Sequence, residues 1–107
     1  MQPLWNRDGS LRQFAVYVMS NSSMTLYVGV TNDLQKRARA HKCGEGSSFT
    51  KRYHFDRLVY YELYANIRPA IEREKQIKVW TRSKKIALIK TMNPEWKDLS
   101  DERGFSE

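Results

Sequence analysis

Two tyrosines stand ten residues apart, Tyr17 within Phe14-Ala15-Val16-Tyr17-Val18-Met19 and Tyr27 within Leu26-Tyr27-Val28-Gly29-Val30, and a basic stretch carrying Arg37 and His41 follows them. A lone carboxylate, Glu74, falls inside a later apolar stripe. This set of residue types points to chemistry on a phosphodiester. Cleaving that bond takes an activated water, charge neutralisation on the phosphoryl oxygens and help for the leaving oxygen, which a base, a guanidinium and a metal ion can supply. Arginine suits the phosphate better than lysine because its planar fork holds two oxygens at once and stays charged. A free tyrosine has a pKa of about 10, so a tyrosine base needs positive charge beside it. A single glutamate with few other protein oxygens suits Mg²⁺, which keeps several waters.

Each residue also has a plainer use. Two tyrosines on a half-buried hairpin can be packing residues with hydroxyls at the rim. Arg37 alone reads as a surface or capping charge, and an inward histidine as a satisfied core residue. Glu74 can form a structural salt bridge with Lys78 one turn on, or with Arg37.

The elements that must position these groups are legible in the chain. From Phe14 to Asn21 and from Thr25 to Thr31, β-branched and aromatic residues predict two strands, and the polar Asn21-Ser22-Ser23 between them predicts a hairpin. With a side-chain period of two, any register pairing odd residues with odd residues puts both tyrosines on the face that Gly29 shares. Gly29 then leaves room for a backbone or a ligand to come close. Thr31-Asn32-Asp33 provides a capping start for a helix running to about Lys42. On it Leu34, Ala38 and His41 cluster on one side with Arg37 at the stripe's edge, so Arg37 and His41 face inward, while Lys36 and Arg39 point away.

A Gly44-Glu45-Gly46-Ser47-Ser48 loop leads to a third strand, Arg57-Leu58-Val59-Tyr60-Tyr61-Glu62-Leu63-Tyr64. A second helix is predicted from Ile67, with Pro69 in its first turn, where a missing N–H is harmless. Its apolar stripe is Ile67, Ala70, Ile71 and Ile77, with Glu74 in the middle and Glu72 on the opposite face. An inward carboxylate is costly unless paired, protonated or bound to a metal, so Glu74 needs a partner. A third helix runs from about Ser83 to Met92, stopped by Asn93-Pro94-Glu95-Trp96.

From about Phe14 to Trp96 the chain resembles the GIY-YIG nuclease superfamily. Ala15-Val16-Tyr17 stands in place of the first triplet and Tyr27-Val28-Gly29 in place of the second. The Asn32-Asp33-Leu34, Arg73-Glu74-Lys75-Gln76-Ile77-Lys78 and Asn93-Pro94-Glu95-Trp96 segments are similar to its small stand-alone bacterial branch, which resembles the N-terminal nuclease domain of the excision-repair machinery. The resemblance implies a single α+β domain, a three-stranded antiparallel sheet flanked by helices, that cuts DNA with one divalent cation, Mg²⁺ or Mn²⁺. It implies that Tyr27 is the general base, Tyr17 the tyrosine that positions it, Arg37 the arginine on the scissile phosphate and Glu74 the metal ligand. His41 matches a histidine found in part of the family, and Asn93 a polar C-terminal residue seen in some members. The sequence departs from the pattern at Ala15, where the first motif has glycine, and at Val30, where excision-repair members carry lysine.

Composition agrees with a nucleic-acid partner. The 107 residues hold 19 Lys and Arg against 12 Asp and Glu, a formal charge of +7, which favours polyanions through phosphate contact and counterion release. Lys36, Lys51, Arg52, Lys78, Arg82, Lys84 and Lys85, with Gly29, form the expected nucleic-acid surface. The expected organisation is an irregular segment over 1–12, the nuclease-like domain over 13–97 and a charged tail over 98–107. Cys43 is the only cysteine, so no internal disulfide or Cys-based zinc site is available, which suits a reducing cytoplasm. No stretch reaches the roughly 20 apolar residues of a membrane helix, and the start lacks a signal peptide's pattern, so no membrane partner is expected. Nothing resembles a separate DNA-targeting domain, which predicts structure-selective or weakly specific cutting, linked to repair or recombination. RNA is left open as a substrate, as is the oligomeric state. The rival from a different class is a non-catalytic nucleic-acid-binding module that keeps the fold.

Overall fold

Asn21 shapes the first turn: its Oδ1 accepts hydrogen bonds from the N–H groups of Ser23 and Thr25, both at 3.0 Å. This Asx geometry carries the chain through Met24, whose φ of 60° lies in the left-handed region. The turn joins β1 (Phe14–Ser20) to β2 (Leu26–Thr31). The computed structural model describes residues 14–42 and 54–101. Cys43, Lys51, Arg52 and the glycine-rich loop lie outside them.

After β2 come α1 (Leu34–Lys42), β3 (Arg57–Tyr64), α2 (Ile67–Lys78), α3 (Arg82–Met92) and a 3₁₀ turn over Leu99–Asp101. The predicted α+β architecture is the observed one. β1 is central, antiparallel to β2 on one side and to β3 on the other. Its register places Tyr17 opposite Gly29 and Met19 opposite Tyr27, so odd pairs with odd. Towards β3, Tyr17 faces Tyr61 and Val18 faces Tyr60, but Met19 faces Leu58. Val59 is the extra residue of a β-bulge there, which turns Leu58 onto the tyrosine face.

Helices cover both faces of the sheet. On the tyrosine face, Ala15, Tyr17, Met19 and Leu58 pack with Phe55 and with Leu34 and Ala38 of α1. On the other, Val16, Val18, Val28, Val59 and Tyr60 pack against Ala70 and Ile77 of α2 and Ile89 of α3. Two-sided burial explains why β1 reads as a continuous apolar run rather than an alternating one.

Local sequence sets the helix starts. Thr31 Oγ1 accepts from the Asp33 N–H, and Asp33 Oδ1 accepts from the Lys36 N–H, so α1 opens one residue after Asp33. Thr81 caps α3 by accepting from the Lys84 N–H, which starts that helix at Arg82, one residue before the expected Ser83. α2 has no side-chain cap at Asn66 and is anchored instead by Arg73, whose guanidinium is held on Glu62 of β3 by Nε to Oε1 at 2.9 Å and Nη2 to Oε2 at 3.0 Å. Ile67, in the first turn of α2, is exposed rather than part of the buried stripe. Among the described residues no helix is long and apolar enough to cross a membrane.

Candidate active site

The hairpin places both tyrosine side chains on one face, and α1 lays His41 across them. The ring centroids of Tyr17 and Tyr27 are 6.2 Å apart, those of Tyr27 and His41 5.1 Å, and those of Tyr17 and His41 5.8 Å. Phe55 closes the cluster at 5.7 Å from Tyr27 and 6.3 Å from His41. Phe55 gives no signal in the sequence, since it precedes β3 in an irregular stretch and carries no polar group.

The two tyrosines differ in depth. Tyr17 is 2% exposed, and its hydroxyl shares a 3.2 Å hydrogen bond with His41 Nε2. Burial drives the Tyr17 pKa well above the ordinary phenol value; Tyr27 adds to the rise, Arg37 opposes it, and a hydrogen bond with Tyr27 and the charge of Glu74 raise it further. Tyr17 therefore stays a protonated phenol. Tyr27 is only half-buried and packs against this core from its rim. His41 is 3% exposed, and its pKa is lowered first by desolvation and then by the Arg37 charge, so the ring is neutral at pH 7.

Gly29 has a specific reason to be glycine. A Cβ there would lie 2.6 Å from Tyr17 Oη and 2.7 Å from Cζ. The space expected to admit a ligand is filled by the Tyr17 phenol, so Gly29 serves the tyrosine pair and does not offer an open contact to nucleic acid. Arg37 also departs from expectation: it is exposed, not inward. At the edge of the α1 stripe it lines an open cavity of about 230 Å³ with Thr31, Asn32, Asp33, Lys36 and Ala40. Lys36, expected to point away, shares that cavity. Arg37 nonetheless acts electrostatically on both the Tyr17 hydroxyl and the His41 ring.

Glu74 stands on α2, and its charge is the smallest of the causes that raise the Tyr17 pKa. Its side chain is 12% exposed and pairs with Lys78, Oε2 to Nζ at 2.6 Å. Among the described residues no three His, Cys, Asp or Glu side chains gather into a metal cage. A lone, mostly buried carboxylate fits an ion that keeps its waters, such as Mg²⁺.

The remaining candidates are more dispersed. Arg82 donates to the Met24 carbonyl at 2.6 Å, tying α3 to the hairpin turn. Lys84 Nζ sits 4.3 Å from the Trp80 ring centroid, and Lys85 is half-exposed on α3. Asn93 is buried and fully engaged with backbone: Nδ2 donates to the carbonyls of Val59 and Lys97, and Oδ1 accepts from the Lys97 N–H. Its support is to the fold. Asp98, which no local pattern in the sequence marks, accepts from the Leu58 N–H and pairs with Lys42 at 2.5 Å, joining the C-terminal turn to β3 and α1.

Residues 13–87 match the GIY-YIG catalytic domain. The chain belongs to the GIY-YIG catalytic domain family. That is a nuclease family, and its two motif segments here are the antiparallel neighbours that set Tyr17 opposite Gly29. The chain is also similar to UPF0213 proteins. One from Bacillus pumilus (strain SAFR-032) is 40% identical over 79 residues, covering 74% of this chain and 81% of the relative. Another from Staphylococcus aureus (strain Mu3 / ATCC 700698) is 40% identical over 75 residues, covering 70% and 92%. The solution NMR structure of the UPF0213 protein BH0048 from Bacillus halodurans aligns with a TM-score of 0.53 at 25% identity, covering 85% of this chain and 97% of that one.

Proposed function

We propose that the protein is a divalent-metal-dependent endonuclease that hydrolyses DNA phosphodiester bonds, selecting structure over sequence. The observation that carries this reading is the cluster of Tyr17, Tyr27 and His41, whose ring centroids lie 6.2, 5.8 and 5.1 Å apart and in which the Tyr17 hydroxyl is hydrogen-bonded to His41. Side chains of β1, β2 and α1 thus meet at one site, and the charges of Arg37 and Glu74 act on its buried hydroxyl.

Their roles follow from exposure and charge. Tyr27, at the rim, is the base candidate because it is the less buried of the two tyrosines. Tyr17 is too deeply buried to ionise and so holds a proton with which it orients Tyr27. Neutral His41 fixes the Tyr17 hydroxyl through Nε2. Arg37, on the wall of an open cavity, would clamp the phosphoryl oxygens and stabilise charge as it builds there. Glu74 would hold Mg²⁺ or Mn²⁺, which when bound supplies Lewis-acid stabilisation of the phosphoryl and leaving oxygens. Resemblance to the excision-repair nuclease supports a cytoplasmic role in repair or recombination.

The Glu74–Lys78 ion pair favours a second reading, a non-catalytic nucleic-acid-binding module in which that pair is structural. Purified protein incubated with branched, nicked, single-stranded and duplex DNA, and with RNA, in Mg²⁺, Mn²⁺ or chelator separates the two. Cleavage is expected with metal and should be lost in Glu74→Gln and Tyr27→Phe. Salt-sensitive, metal-independent binding without cleavage would falsify the nuclease reading.

A further inference from the structure

The Glu74–Lys78 pair joins a carboxylate that is 12% exposed to an ammonium side chain that is 52% exposed, one turn further along α2. The asymmetry matters: the lysine can leave toward solvent without opening the core, whereas the carboxylate stays where it is. Nζ lies in direct hydrogen-bond contact with Oε2 at 2.6 Å. An oxygen so engaged cannot give the same lone pair to a divalent ion, and two cations at one carboxylate repel each other. Ammonium and metal therefore compete for Glu74. A lysine is well suited to such exchange, being a compact charge on a flexible stem that accepts any anion within reach.

We propose that Lys78 is an exchange cation, neutralising Glu74 in the free protein and moving to a nucleic-acid phosphate when a divalent ion takes the carboxylate. This rests on the reading of Glu74 as the metal ligand. Metal and nucleic acid then bind with positive coupling, since each draws away the partner that hinders the other. Linkage makes the effect reciprocal: nucleic acid raises metal affinity by the same factor that metal raises nucleic-acid affinity. Solvent-exposed helix pairs of this spacing correspond to roughly a twofold effect, and the burial of Glu74 increases it.

The test is Mn²⁺ binding, read from the paramagnetic resonance of the free ion, for wild type, Lys78→Met, Lys78→Gln and Glu74→Gln, with thermal melting to verify folding. Each is titrated alone and with a phosphorothioate duplex DNA that resists cleavage. Both Lys78 variants should bind Mn²⁺ about two- to fivefold more tightly than wild type without DNA. DNA should tighten Mn²⁺ binding to wild type more than to the Lys78 variants, and equal tightening overturns the transfer to phosphate. Glu74→Gln should lose the site. If Glu74→Gln loses Mn²⁺ while the Lys78 variants bind it no better than wild type, the exchange is wrong and the metal site stands. A wild-type Mn²⁺ affinity unmoved by DNA overturns the transfer to phosphate. If Glu74→Gln binds Mn²⁺ like wild type, the metal reading fails and takes the exchange with it.

Discussion

Gly29 is where the tyrosine pair is most vulnerable. A methyl group 2.6 Å from Tyr17 Oη cannot be absorbed by a flexible tip, because the ring is buried between the β2 backbone, Tyr27 and His41. Gly29→Ala should therefore destabilise the protein by about 1–3 kcal/mol, the usual cost of overpacking. Its melting temperature should fall, and under the proposed function cleavage by the fraction still folded should drop further, because the Tyr17 hydroxyl that meets His41 is displaced. An unchanged melting temperature would contradict this packing. At this scale the sequence shows which side chains share a face and not how deeply each one lies. Strand parity places Tyr17 and Tyr27 on one face, and helical periodicity buries His41. The reason for Gly29, and the exposure of Arg37, depend on how far a ring or a helix edge extends in space.

The elements are held together by polar ties as well as by the two apolar cores. Glu62 on β3 accepts from Tyr60, Tyr64 and Arg73, so its carboxylate is fully engaged. Burial alone works against its charge, but the hydrogen bonds from Arg73, Tyr60 and Tyr64 outweigh it and hold its pKa below the ordinary value of 4.5. A carboxylate with a depressed pKa adds stability above its unfolded-state value and loses it as pH falls through the folded value. Glu62→Gln should thus be less stable than wild type by on the order of 2 kcal/mol at pH 7. That gap should narrow as pH drops below about 4.5, where the unfolded wild type takes up the proton first, until the folded carboxylate takes it up at lower pH. Urea titrations between pH 7 and pH 3 measure it; a gap constant with pH would rule out the charged tie. Helix starts and stops were legible to within about a residue because caps act within four residues, as at Asp33. Glu62–Arg73 spans eleven positions, Asn93–Val59 thirty-four and Leu58–Asp98 forty. No local signal announces such pairs.

Over the whole molecule the excess of seven positive charges is not evenly useful. Lys36 shares the Arg37 cavity, whereas Arg39 lines a separate one of about 180 Å³ with Gln35, Lys42 and Ser100 on another flank of α1. If nucleic acid lies against the Arg37 side, Lys36→Ala should reduce the slope of log affinity against log salt by about one, and Arg39→Ala should leave it unchanged. Equal losses from both would mean that the bound strand does not follow that cavity. Charge in the sequence therefore argues for a polyanion, and only its distribution says where the polyanion runs. The chain by itself determined the order and type of its strands and helices, the face shared by the tyrosines and the family, because alternation, 3.6-residue periodicity and capping are local properties. Tertiary structure decided the rest. It placed the Val59 bulge that brings Leu58 under the tyrosines, the Tyr17 ring over Gly29, and Lys78 on Glu74. These depend on distances between segments remote in sequence, which close packing fixes and residue spacing does not encode.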